Sequence, residues 1–157
     1  MALPAQPVTG IGPDGNSTVI ALWRHALLET EAPNVHDEFW RVPLAQEYHI
    51  LNIYVELTTD ANAGNRQLVI EIQDPEGDVV AQIIPNIIQA ASLTRIYNFA
   101  PGLADPDAFR DTTFIPVAIP PTWIWGPRYL IRVYDNNAVS ATDDMIVHIS
   151  IARRRLE

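Results

Sequence analysis

From residue 48 onward the chain alternates apolar and polar positions with a period of two. Leu51, Ile53, Val55 and Leu57 fall on one side, and Asn52, Tyr54, Glu56 and Thr58 on the other. Successive side chains of a strand point to opposite faces, so this pattern predicts a half-buried strand. Leu68, Ile70 and Ile72 alternate in the same way with Gln67, Val69, Glu71 and Gln73. Asp74-Pro75-Glu76-Gly77 places Pro second and Gly fourth, the signature of a type I turn. Residues 79–84 resume as its hairpin partner until Pro85 interrupts them. Further strands are predicted over 92–99, 112–119, 129–133 and 145–151, with a loop over 100–111 and a turn at Asp135-Asn136-Asn137. Pro116, Pro120 and Pro121 have no N–H for a ladder, which favours an edge or bulged strand there.

The first 47 residues pattern differently. Residues 1–16 hold three Pro and three Gly and read as an extended N-terminal arm. Over 17–30 two readings compete. Ser17 can cap a helix with Ile20, Trp23 and Leu27 on one face, while residues 19–23 can equally form a strand. The short helix is the preferred expectation. Residues 31–47, with Pro33 and Pro43, read as mostly irregular.

About seven short strands at intervals of about ten residues, with turn chemistry between them, predict an all-β protein. The expected fold is an antiparallel β-sandwich or jelly roll. No βαβ alternation is present. The expected organisation is an arm over 1–16, one sandwich domain over 17–152 and a basic tail over 153–157.

Composition narrows the functions available. The 157 residues include no Cys, which excludes disulfides, zinc–thiolate sites, Fe–S clusters and a Cys nucleophile. The 19 acidic residues outnumber ten basic ones, all of them Arg, for a net charge of −9. That balance lacks the electrostatic footprint of nonspecific nucleic-acid binding. The absence of Lys removes Schiff-base and Walker A chemistry. No apolar run reaches the roughly 18 residues of a membrane span. The opening Met1-Ala2-Leu3-Pro4 lacks the basic and apolar regions of a secretory signal. Neither a nucleic-acid nor a membrane partner is expected.

Candidate chemistry is sparse. His25, His36, His49 and His148 form no HxH or HExxH pair, and His49 and His148 sit among apolar neighbours on predicted strands. Ser17, Ser92, Ser140 and Ser150 lie outside GxSxG and SxxK contexts. The run Gly10 to Gly15 neither follows a strand nor carries a Lys. Three oxygen-rich turns, at Asp74-Glu76-Asp78, Asp135-Asn136-Asn137 and Asp143-Asp144, offer Ca²⁺-type ligands, but turn chemistry alone explains the same residues. No catalytic residue, metal site or cofactor is therefore assigned. Trp123-Ile124-Trp125 is the most distinctive feature: in an extended segment its two indoles share a face. A buried or interface role is favoured over a sugar-stacking platform. Arg153, Arg154 and Arg155 are basic against an acidic chain and suit either solvent or an acidic neighbour.

The stretch from about Tyr48 to Ile151 resembles the small structural proteins of tailed bacteriophages, of the capsid cement or decoration type. The residues carrying it are Asn65-Arg66, the turn from Gln73 to Val80, the run from Gln89 to Gly102, Ile119-Pro120-Pro121, the run from Tyr129 to Asp135, and Ala141 to Met145. The resemblance covers about two-thirds of the chain and implies a virion β-sandwich with no catalytic residues to carry over. It implies a homo-oligomer, dimer or trimer, contacting the major capsid protein or other virion proteins on the capsid exterior. Trp123, Trp125, Arg153, Arg154 and Arg155 are the expected contact residues. The alternatives are a carbohydrate-binding sandwich and a neck or tail component.

Overall fold

A computed structural model describes residues 9–11, 17–19, 23–29, 36–103, 113–137 and 140–156. Those residues form strands and connecting turns, with no helix among them. The strands are β1 (Thr9–Ile11), β2 (Ser17–Val19), β3 (Arg24–Glu29), β4 (Asp37–Arg41), β5 (Gln46–Thr58) and β6 (Arg66–Gln73). They continue with β7 (Val79–Ile83), β8 (Thr94–Pro101), β9 (Phe114–Ile119), β10 (Ile124–Trp125), β11 (Leu130–Asn137) and β12 (Asp144–Arg155). A six-stranded sheet runs β3-β12-β5-β8-β9, with β10 also pairing β5; a four-stranded sheet runs β4-β11-β6-β7. β1 and β2 form a separate antiparallel pair. The pairings are antiparallel except β8 with β9, so the predicted all-β sandwich holds with one parallel edge.

The alternation seen in the sequence builds the core. Ile53, Val55 and Leu57 of β5 meet Met145, Val147 and Ile149 of β12, all fully buried. The other sheet presents Leu68, Ile70 and Ile72 of β6 beside Ile131 and Val133 of β11. Tyr97, Phe99 and Ile115 complete the interior. Each such aliphatic side chain stabilises the fold by about 1.5–3 kcal/mol when fully buried. Pro116 lies on β9, an edge strand, where its missing N–H disrupts no interior ladder. The predicted turn closes with the Gly77 N–H on the Asp74 carbonyl at 3.1 Å. Gly77 has φ +98°, a conformation that disfavours any side chain.

Four expectations change. The helix over 17–30 is replaced by β2 and β3, because pairing with β12 sends Ala26 and Leu28 toward the core at period two and leaves Leu27 outside. The irregular stretch over 31–47 contains β4, fixed by the pairing of Trp40 with Ile131. Asp135, Asn136 and Asn137 continue β11 against β6 instead of turning. Arg153, Arg154 and Arg155 extend β12 instead of forming a tail, paired with Tyr48, Glu47 and Gln46 of β5. Most of the predicted arm over 1–16 and most of the loop over 100–111 lie outside the described residues.

Candidate functional site

Three surfaces and one buried cluster carry the polar and aromatic features of the fold. The first surface lies at the end of the sandwich where β12 finishes. Ser150 pairs with Asn52 and Ile151 with Ile50, so Leu51 is an extra residue in β5. This bulge shifts the alternation of β12. Ile151 and Ala152 are both buried, and Arg154 then reaches Glu47 at 2.5 Å and lies over the Trp23 ring at 4.9 Å. Trp123 is only 5% exposed and belongs to the core. Its ring meets Trp125 edge-on with centroids 6.1 Å apart, and Trp125 tilts against Tyr129 at 5.3 Å. The two indoles therefore share a face as predicted, but Trp123 cannot serve as an exposed sugar platform. Trp125 is half-buried, and its indole N–H finds no acceptor among the described residues.

The second surface is the outer face of the four-stranded sheet. Arg132 donates to both Asp37 oxygens at 2.8 and 2.6 Å and stacks on Tyr134 at 4.2 Å. Glu71 is 5% exposed and accepts from Gln73 at 2.7 Å and Tyr134 at 3.0 Å. The Asp37 carboxylate holds the Arg132 guanidinium charged, above its already high ordinary value. This ladder ties three strands together.

The third surface is the edge formed by β7 and the residues after it. From Val79 to Ile88 there is no charged residue. Val79, Val80, Ile84 and Ile88 are between 47% and 54% exposed. Gln67, Ile84, Pro85, Asn86, Ile87 and Ile88 line a shallow groove of about 500 Å³ beside it. The other three outer edges each carry a charge or a proline: Arg24 and Glu29 on β3, Asp37, Glu38 and Arg41 on β4, and Pro116 on β9.

The buried cluster closes the opposite end of the sandwich around Arg66, whose side chain is fully buried. Its Nε donates to Asp143 at 2.8 Å, one terminal nitrogen to Asp60 at 2.6 Å, and the other to the Asn62 and Gly64 carbonyls at 2.9 and 3.0 Å. Asp143 also accepts from the backbone N–H groups of Asp60 at 2.8 Å and Ser140 at 3.1 Å. Burial alone would raise the Asp143 carboxyl, but Arg66 and those N–H groups hold it below the usual range. The hydroxyls of Ser140 and Thr142, which both donate to Asp60, hold that carboxyl well down. Asp135 behaves oppositely. It is 4% exposed, and neither oxygen receives a hydrogen bond from the described residues. Burial, then the neighbouring Asp143 carboxylate, push it up to about 7. An ionised Asp135 is an unsatisfied acceptor, whereas a protonated one donates to Asp143.

Most other sequence candidates stay apart. His49 contacts the Pro121 carbonyl at 3.2 Å, and His148 lies 3.6 Å from Glu29. Asp74 accepts from the N–H groups of Glu76 and Asp78 and so closes its own turn. Among the described residues no group of three or more His, Asp or Glu side chains is placed to hold a metal ion. The Arg66 cluster has no local signature, because its members lie up to 83 residues apart in sequence.

No family model and no curated protein matches the chain. Several solved structures align with it, among them the following. A chain of the T13 particle of infectious bursal disease virus aligns with 96% of this chain and 40% of its own length, at 8% identity and a TM-score of 0.37. A chain of the Gx strain of the same virus aligns with 99% of this chain and 47% of its own, at 9% identity and a TM-score of 0.39. The surface-associated copper-binding protein CorA of Methylomicrobium album BG8 aligns with 74% of this chain and 92% of its own, at 11% identity and a TM-score of 0.18. This chain thus spans less than half of either viral chain. TM-scores this low do not establish a shared fold.

Proposed function

We propose that the protein is a non-enzymatic structural component of a virion, a capsid cement or decoration protein acting as a symmetric oligomer on the outside of the head. The observation that carries the assembly role is the uncharged edge from Val79 to Ile88, with four aliphatic side chains about half exposed. Uncovered apolar edge strands invite pairing, and soluble proteins ordinarily block them with charge or proline. Here the other three edge strands carry charge or proline within the strand, whereas Val79–Ile83 carries neither, and Pro85 follows only after its end. The order of sequence pieces from Tyr48 to Ile151 that resembles phage structural proteins supplies the virion setting. A neighbouring virion protein, such as the major capsid protein, is the partner this edge suits. Trp125 and Arg153 to Arg155 are proposed as additional contacts, with Trp123 supporting Trp125 from below. The burial of Trp123 removes the paired platform on which the sugar-binding alternative depended.

Immunogold labelling of intact virions from the source, with antibody to this chain, tests the reading. Gold over the heads is expected. Gold confined to tails would replace the cement role with a tail role, and unlabelled virions beside protein in the lysate would overturn the virion reading. Val80→Lys should reduce head occupancy while leaving the thermal melt unchanged, since Val80 is already 47% exposed.

A further inference from the structure

The arginines are not spread over the molecule. Arg153, Arg154 and Arg155 end β12, and Arg153 pairs with Arg24 at the start of β3. The Leu156 N–H bonds the Ala45 carbonyl at 2.8 Å, which brings the β4–β5 connection and Arg41 to the same end. Arg128 joins them: its N–H bonds the Val42 carbonyl at 2.9 Å, and its own carbonyl accepts from Arg41 at 3.1 Å. Six of the ten arginines, from four separate segments, therefore gather at one end of the sandwich, and all but Arg154 are exposed. Glu47, which accepts from Arg154, lies among them, and the other four arginines fall elsewhere in the sequence.

The same end has an acidic corner. Arg41 pairs across Leu130, which pairs in turn with Gln73. The turn bearing Asp74, Glu76 and Asp78 begins at the next residue, two strand spacings or about 10 Å from Arg41. Asp74 is occupied in closing the turn, while Glu76 and Asp78 are exposed. One end of the body thus displays opposite charges at opposite corners.

We infer that two copies of this chain associate end to end about a two-fold axis, with the arginine corner of each facing the Glu76–Asp78 corner of the other. A two-fold axis brings each patch onto its complement twice, so one pair of corners serves both halves of the contact. A nucleic acid fits less well, because a polyanion extending past six arginines meets the acidic remainder of the body. Arg in place of Lys also suits a protein partner, since its planar fork binds carboxylates bidentately and is common at interfaces. The inference deepens the assembly role proposed above and rests on it only for where such a dimer acts.

Sedimentation velocity on the full chain tests it. Association should be concentration-dependent and weaken about tenfold or more between low and high salt, as exposed charges are screened. R153E/R155E and E76R/D78R should each remain monomeric, with far-UV circular dichroism unchanged. Mixing the two variants should restore a dimer, because both corners are then complementary again. A wild-type chain monomeric throughout, or a dimer indifferent to salt and to both reversals, would overturn the contact. So would a mixture that stays monomeric, or duplex DNA binding the wild-type end more tightly than the chain binds itself. Labelled heads beside a strictly monomeric isolated chain would overturn this contact and leave the virion role standing. Unlabelled virions beside a salt-sensitive, reversal-sensitive dimer would do the opposite.

Discussion

Asp135→Asn should stabilise the protein at neutral and alkaline pH and do nothing at acid pH. Asp135 is 4% exposed and has no donor among the described residues, and burial first, then Asp143, raise it from 3.8 to about 7. The unfolded chain releases this proton near 3.8, whereas the folded chain keeps it until about 7. A group raised on folding contributes fully below its unfolded value and loses that contribution as pH climbs to its folded value. The wild type should therefore fall behind the variant by about 1.4 kcal/mol per pH unit across that window. The difference should level off near pH 7 at up to about 4 kcal/mol. Asn is nearly isosteric, and its amide can donate to Asp143 as the protonated carboxyl does. Urea unfolding of both proteins at half-unit steps from pH 3.5 to 8.5 reads the difference directly. Groups that titrate equally in both proteins cancel. A gap independent of pH, or a variant weaker than wild type at pH 8, would refute the reasoning. The first result would mean that Asp135 does not hold its proton, and the second that its carboxylate is satisfied.

Three further variants test the buried cluster, the core and the turn. Arg66→Met should destabilise the fold by about 3–5 kcal/mol in urea titrations at pH 7, because it strands the buried Asp143 carboxylate and deprives Asp60. In the same variant the acid limb should flatten: Asp143 is held low in the wild type, so its stabilising contribution is present above pH 4 and lost as pH falls further. Trp123→Ala should cost about 3–5 kcal/mol by opening a cavity in the core, measured as a drop in melting temperature. Gly77→Ala should cost about 1 kcal/mol through its positive φ alone, since nothing lies within 4 Å of an added Cβ; a neutral result by calorimetry would show that the turn relaxes.

Much of the architecture is already legible in local patterns. The period-two runs of β5, β6 and β12 name most of their buried residues, because a strand in a two-layer sandwich has one face in and one face out. Leu51 is an exception, since the bulge in β5 places Ile50 in the core instead, and Val69 and Glu71 of β6 are buried on its outer face. The Asp-Pro-Glu-Gly turn, the hairpin after it and the edge placement of Pro116 also follow from backbone chemistry that neighbouring residues decide. Strand β3 is different. Trp23 and Leu27 suit a helical face, and only the neighbouring β12 selects the extended form in which Ala26 and Leu28 turn inward. Competition of that kind is settled by tertiary pairing, not by local propensity.

The features that bear on function are the least local. The amino-acid sequence by itself determined an acidic, Cys-free and Lys-free chain, its strand periodicity and the adjacency of Arg153 to Arg155. It could not place Arg24, Arg41 and Arg128 beside that triplet, because strand order and register bring them there from distant segments. Nor could it distinguish Asp60, held low by the Ser140 and Thr142 hydroxyls, and Asp143, held low by Arg66 against its burial, from Asp135, pushed up to about 7 by burial. All three are aspartates in turn-like or strand-end contexts. Desolvation and charge proximity separate them, and both depend on which chain segments the fold brings within a few ångströms.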